Sequence, residues 1–260
     1  MAKEMYKIIH TSCMGTLINF NNKNILIDSI ISPNILPYPT VNKDILMNMV
    51  QKNTPFESID LILITHEHKE HFQPDLVCQI LSACLEATLI APKAVIAEMR
   101  KSKYFKKRFI TQLISIDLDD NKSIDLSIKN IKMIITRLMH DDQSKYKHVQ
   151  NIAFLIYLGE HRILHVGDSL PDISIFRESE LINKDVTCLI VPFIFLITES
   201  GVEVISSINP RYLLATHFPL SEYDTNKRFE NAQEIKNNSL SPFPKNTYLL
   251  TESMSEVLLK

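Results

Sequence analysis

The chain has 260 residues, a formal net charge of −2, and 45% hydrophobic and 22% charged residues. That length is enough to bury a sizeable core, read here as a single domain over 1–260, and the near-zero charge excludes broad, charge-driven nucleic-acid binding, which needs a basic face. The longest apolar run, "VTCLIVPFIFLI" at 186–197, is shorter than the roughly 20 residues needed to span a bilayer, so no membrane partner is expected.

In chain order, the N-terminus "MAKEMYKIIH" lacks the apolar stretch of a secretory leader, which points to the cytoplasm. "YKIIH" and "GTLINF" read as strands, "NNKN" at 21–24 as a turn, and "ILIDSII" as a third strand. The segment 32–56 carries Pro33, Pro37, Pro39 and Pro55. It reads as a long irregular excursion with a helical turn or two, of the kind that shapes pockets. "IDLILI" is a buried strand. "QPDLVCQILSACL" has Pro74 near its start and apolar residues at helical spacing, so it reads as a helix. "ATLIAP" is a strand and "KAVIAEMRKSK" a helix, while the basic run "RKSKYFKKRF" at 100–109 is expected to be a solvated helix face and loop.

"FITQLISI", "KSIDLSI" and "IKMIITRLM" read as strands, the last delivering His140. "NIAFLIYL" and "RILHV" form a hairpin-like pair that leads to Gly167-Asp168. "LINKDVTCLIVPF" ends in a buried strand, "VEVISSI" is a short helix, and "RYLLAT" is a strand ending at His217. A polar helix is expected near 228–238, and a final strand pair at "TYLLT" and "SEVLLK". Two sheets packed face to face with helices outside would accommodate this order. The cysteines Cys13, Cys78, Cys84 and Cys188 show no metal-site or disulfide spacing and read as buried free thiols in a reducing compartment.

The chemistry concentrates in "LILITHEHKEHF" at 61–72, where three of the nine histidines fall within six positions at a strand end. In an extended backbone His66 and His68 project to the same side, so both can bind one metal ion. Glu70 continues the alternation, and His71 turns toward a second position. A catalytic metal needs further ligands, and His140, Asp168 and His217 each end or follow an apolar strand. His148, in a charged loop, is the weaker substitute for His140. Asp141 and Asp142 follow His140 directly; either could orient a ligand, and a solvated turn is the expected reading. His165 reads as a packed histidine, His161 as a solvated turn residue, and His10 as either cleft-lining or structural.

Thr65-His66-Glu67-His68-Lys69-Glu70-His71, then His140, Gly167-Asp168 and Thr216-His217, resembles the signature of the metallo-β-lactamase superfamily, in the right order over nearly the whole chain. "ILIDS" at 25–29 and "HVGDS" resemble the branch of simple metal-dependent hydrolases that includes ascorbate-6-phosphate lactonase. The resemblance implies an α+β fold, a four-layer αββα sandwich of two mixed sheets with helices outside. It implies that His66, His68 and His140 hold one divalent ion, that His71, His217 and Glu70 hold another, and that Asp168 bridges them. Asp28 would support the ligands from behind. The family has Asp where this chain has Glu70, which opens the second ion's site and the usual preference for zinc to question; manganese and iron also suit His and carboxylate donors.

The implied enzyme is a metal-dependent hydrolase that uses a metal-bound hydroxide on a small-molecule ester, lactone or phosphoester, with His66, His68 and Asp168 at the reacting centre. The alternatives on the same fold are a di-iron redox or oxygen-handling protein and a nucleic-acid phosphodiesterase, the latter disfavoured by the charge. A single-ion or non-catalytic metal binder is a further reading. Homo-oligomer formation is left open.

Overall fold

The computed structural model describes residues 6–260; residues 1–5, half of the stretch read above as lacking a leader, lie outside the described residues. The chain forms two compact units. One runs to Asp117 and regains Glu252–Lys260; the other is Leu118–Thr251.

The first unit opens with an antiparallel meander, Tyr6–Ser12 (β1), Gly15–Phe20 (β2) and Lys23–Ile27 (β3). The β2–β3 turn places Asn21 and Asn22 at positive φ, where Asn is tolerated better than most residues. Lys43–Gln51 (α1) lies inside the proline-rich excursion and is capped by Asn42, whose side chain accepts from the Asp44 N–H. Leu61–Leu63 (β4), Thr88–Pro92 (β5) and Leu113–Ile116 (β6) then add in parallel to β3. Between them run Pro74–Ala83 (α2), with Pro74 in its first turn as expected, and Lys93–Lys101 (α3). The helices bury Met49, Val77, Leu81, Val95 and Met99 against Leu26, Ile62 and Leu89 of the strands.

The second unit starts with antiparallel Ser123–Ile128 (β7), Ile131–Leu138 (β8), Asn151–Leu158 (β9) and His161–His165 (β10). It continues in parallel with Cys188–Pro192 (β11), Tyr212–Thr216 (β12) and Asn246–Leu249 (β13). Its helices are Gln143–Tyr146 (α4), Ile173–Glu178 (α5), Ile194–Ile197 (α6), Glu199–Ile208 (α7) and Arg228–Asn237 (α8). Phe176, Phe195, Val204 and Ile205 from the helices pack with Leu155, Leu164, Leu189 and Leu213 from the sheet. Finally Ser255–Leu259 (β14) returns to the first unit.

Each unit therefore holds a seven-stranded mixed sheet, ordered β14-β1-β2-β3-β4-β5-β6 in one and β13-β12-β11-β10-β9-β8-β7 in the other. In the first, β3 and β4 end side by side at the same edge; in the second, β8, β10 and β12 run in one direction. Residues just past the carboxyl ends of such strands stand where α/β sheets commonly place their ligands.

Three sequence expectations are corrected. "TYLLT" and "SEVLLK" do not pair with each other: β13 joins β12, and β14 joins β1. Both are short strand-forming runs with no turn between them that fixes a hairpin register, so either sheet edge satisfied them. "FITQLISI" is a strand only from Leu113; Lys107–Gln112 is a 3-10 helix. There the buried Gln112 amide donates to the Cys84 and Ala87 carbonyls just past α2, and Arg108 donates to the Leu81 and Ser82 carbonyls of its last turn, so the segment serves to cap the end of α2. His161 is buried in β10 rather than solvated in a turn. In the basic run the lysines and arginines are exposed, as expected of a solvated face, while Ser102 and Phe105 are half-buried and Phe109 is buried in the core.

The cysteines are free and buried, and burial pushes the Cys78, Cys84 and Cys188 thiols upward, away from thiolate chemistry. No described helix is long and apolar enough to cross a membrane.

Burial in β1 pushes the His10 imidazole down to about 4, against the opposing effect of a hydrogen bond with the Gly15 backbone. The unfolded chain takes up this proton near pH 6.5, so the folded state is progressively disfavoured as pH falls from about 6.5 toward 4. His10 alone is expected to remove about 3 kcal/mol across that window. Urea midpoints at pH 7 and pH 4.5 check this: the drop should be clearly smaller in His10→Gln than in the wild-type chain.

Candidate metal centre

In the first unit the strand β4 delivers Thr65 and His66 into a buried hydrogen-bond network built on Asp28. Asp28 follows β3 in the left-handed region, φ 48°, an uncommon conformation that Asp adopts more readily than most residues. Its Oδ1 accepts from the Thr65 N–H at 2.9 Å, and its Oδ2 from the Thr65 hydroxyl at 2.6 Å. The same Oδ2 accepts from His71 Nδ1 at 2.8 Å, with both side chains fully buried. Thr65 Oγ1 is in turn 3.0 Å from His66 Nδ1. These bonds fix the Nδ1–H tautomer of both imidazoles and leave Nε2 as the ligating nitrogen, the usual way a carboxylate or hydroxyl orients a metal-binding histidine.

The rings of His66 and His71 lie 4.0 Å apart, and those of His66 and His68 4.5 Å apart, edge to face. Glu70 reaches to 3.9 Å from His68 Nδ1. A backbone turn, with the His71 and Phe72 N–H groups donating to the His68 carbonyl at 3.0 and 2.9 Å, folds the motif back on itself. Three crowded imidazoles repel when charged and suit a cation held by their neutral forms.

In the second unit His140, Asp168 and His217 come together. His140 follows β8 and forms an antiparallel bridge with Ser169. Its Nε2 is 3.9 Å from Asp168 Oδ2, and His217 Nε2 is 3.4 Å from the same oxygen. Asp168 sits just past Gly167, which adopts φ 59°. The Asp168 N–H donates to Asn151 Oδ1 at 3.1 Å, while the Asn151 amide donates to the Val166 carbonyl at 3.0 Å. His217 itself has φ 62°, a strained conformation of the sort that collects at functional sites. Two imidazoles on one buried carboxylate form a donor set fit for a divalent cation.

Every metal-site residue expected from the sequence thus lies in one of two local clusters: His66, His68, Glu70 and His71 in the first unit, His140, Asp168 and His217 in the second. His and carboxylate groups able to hold a metal ion are present. His148 is exposed in its loop. His165 is buried, with Nδ1 accepting from the Gly167 N–H at 3.2 Å, the packed role expected of it. One expectation is corrected: Asp141 is not simply solvated, because its Oδ1 lies 2.6 Å from His140 Nδ1. Asp142 instead caps α4, its side chain accepting from the Lys145 N–H. Asn151 was not singled out from the sequence; a lone Asn at a strand start carries no spacing signal.

A protein-family model described as Beta-lactamase superfamily domain matches residues 7–217. The chain belongs to the beta-lactamase superfamily. The match ends on His217, so it spans both donor clusters. A UPF0173 protein of Pyrococcus abyssi (strain GE5 / Orsay) is 26% identical over 205 residues, 78% of each chain. Igni18, a novel metallo hydrolase from the archaeon Ignicoccus hospitalis, superposes with TM-score 0.64 at 14% identity, covering 98% of this chain and 99% of that one. CmlA, a diiron β-hydroxylase from Streptomyces venezuelae, gives TM-score 0.58 at 11% identity over 99% of this chain and 54% of that one. At such identities the likeness is one of fold: the two mixed sheets with their helices are the metallo-β-lactamase fold.

Proposed function

We propose that the chain is a metal-dependent hydrolase of a small-molecule ester, lactone or phosphoester, its two units together forming one catalytic domain. The carrying observation is that Asp28 holds His71 by Nδ1 at 2.8 Å in one unit, while in the other the Asp168 carboxylate stands 3.9 and 3.4 Å from the Nε2 atoms of His140 and His217. His66, His68 and His140 would hold one divalent ion, His71, His217 and Glu70 the other, and Asp168 both. Zinc is the first choice, with manganese or iron also suited to nitrogen and oxygen donors. Such ions, when bound, supply Lewis acidity and bring a water's pKa toward neutrality.

The protein's own contribution is orientation. Thr65 and Asp28 hold His66 and His71 by their Nδ1 atoms, and the Asn151 amide fixes the backbone from which Asp168 projects. Lactones and phosphoesters come first as substrates because "ILIDS" and "HVGDS" resemble the branch that contains ascorbate-6-phosphate lactonase. The net charge of −2 disfavours a nucleic-acid substrate. Buried free thiols support a cytoplasmic location.

Glu70 supports a second reading, a di-iron redox protein, because iron accommodates carboxylate-rich sites. Elemental mass spectrometry of the protein expressed without added metal separates the two, with the wild-type chain beside Glu70→Asp. Two zinc or manganese ions per wild-type chain are expected. Two irons would favour the redox reading. One ion in the wild-type chain and two in Glu70→Asp would mean that the longer side chain has cost the second site.

A further inference from the structure

We infer that Asp141 is a positioning residue that sets how tightly the His140 side of the centre holds its ion; the inference rests on the metal-binding reading above. Asp141 Oδ1 is 2.6 Å from His140 Nδ1 and also accepts from the Asp142 N–H at 2.7 Å. That hydrogen bond fixes the carboxylate's direction and sets its oxygen against the Nδ1 edge of the imidazole. The Asp141 N–H donates to the Asp168 carbonyl at 2.9 Å, and the Leu170 N–H to the Met139 carbonyl at 2.7 Å. Ligand and positioning residue are therefore pinned to the strand end that carries Asp168.

The Tyr146 ring stands 4.8 Å from the His140 ring, and the Gln143 amide donates to the His140 carbonyl. Nδ1 faces the Asp141 carboxylate, and Nε2 lies on the Asp168 side, 3.9 Å from Asp168 Oδ2. A carboxylate at Nδ1 also raises the basicity of Nε2 toward a cation.

Asp141 stands at Nδ1 of His140 as Asp28 stands at Nδ1 of His71, but Asp28 accepts a hydrogen bond there while Asp141 makes a close ion-pair contact, and the two pairs differ in exposure. The Asp28 and His71 side chains are fully buried, whereas the Asp141 side chain is 43% exposed. Solvent and salt screen the exposed pair. His71 and His140 are thus anchored unequally, and an ion that depends on His140 is the one whose affinity responds to ionic strength and to substitution at Asp141.

The test is titration of Zn²⁺ into the metal-stripped full chain, against a competing chelator at low and high salt. The wild-type chain is compared with Asp141→Ala, Asp141→Asn and Asp142→Ala, and thermal melting confirms that each is folded. In Asp141→Ala one of two ions should bind ten- to a hundredfold more weakly, the range for loss of an outer-shell carboxylate, and the other as in the wild-type chain. Asp141→Asn keeps an oxygen acceptor without the charge, so it should fall between them and lose the salt dependence. Asp142→Ala should bind like the wild-type chain. Unchanged binding of both ions in Asp141→Ala, or equal weakening of both, overturns the positioning role. A wild-type chain that binds no Zn²⁺ instead overturns the metal-centre reading itself.

Discussion

Asp28→Ala is expected to destabilise the protein by roughly 4–10 kcal/mol and to abolish the tight metal binding that depends on His66 and His71. The Asp28 carboxylate receives three buried donors: the Thr65 N–H, the Thr65 hydroxyl and His71 Nδ1. Leaving a buried donor unsatisfied costs about 1–3 kcal/mol. Alanine at φ 48° adds about 1 kcal/mol of left-handed strain that Asp and Asn avoid best. The total is a large part of the 5–15 kcal/mol by which domains are stable.

Asp28→Asn separates the two effects. It keeps the shape and the backbone preference but offers one acceptor oxygen and an amide that opposes another donor. It should lose less stability than alanine, while His71 is no longer held in the tautomer with Nε2 ligating. Chemical denaturation without metal and Zn²⁺ titration of both variants check this. Asn binding metal as tightly as the wild-type chain would contradict the orienting role.

The second large effect falls on chemistry rather than stability. Asp168→Ala is expected to lower kcat/KM for any hydrolysed substrate by at least a thousandfold, equal to about 4 kcal/mol, because it removes the carboxylate assigned to both ions. The fold should tolerate the change. Asp168 is held through its backbone, by Asn151 at the N–H and Asp141 at the carbonyl, and those bonds survive truncation of the side chain. Melting of the metal-free variant should match or exceed that of the wild-type chain, since a buried carboxylate between two imidazoles is built for a cation rather than for stability. Parallel loss of melting temperature and activity would show that Asp168 is structural.

These expectations set out what was legible in the sequence. The spacing of His66, His68, Glu70 and His71 after an apolar run, and the placement of His140, Asp168 and His217 at strand ends, were visible because a strand followed by a polar donor is a local pattern. So were the Pro74 helix start and most strands, whose periodicity is set within a few residues. The resemblance carried the fold class, since seven donors in the right order constrain topology more than any single element does.

The sequence by itself determined the donor residues, their order and the alternation of strands and helices. The tertiary structure alone decided which sheet each terminal strand joins, that Lys107–Gln112 coils as a 3-10 helix, that His161 is buried, and that Asp141 and Asn151 hold His140 and Asp168 in place. The physical reason is range. A motif is written in neighbours along the chain, whereas a sheet edge, a buried carbonyl in need of a donor, or a carboxylate 2.6 Å from an imidazole exists only once the chain has been brought back upon itself.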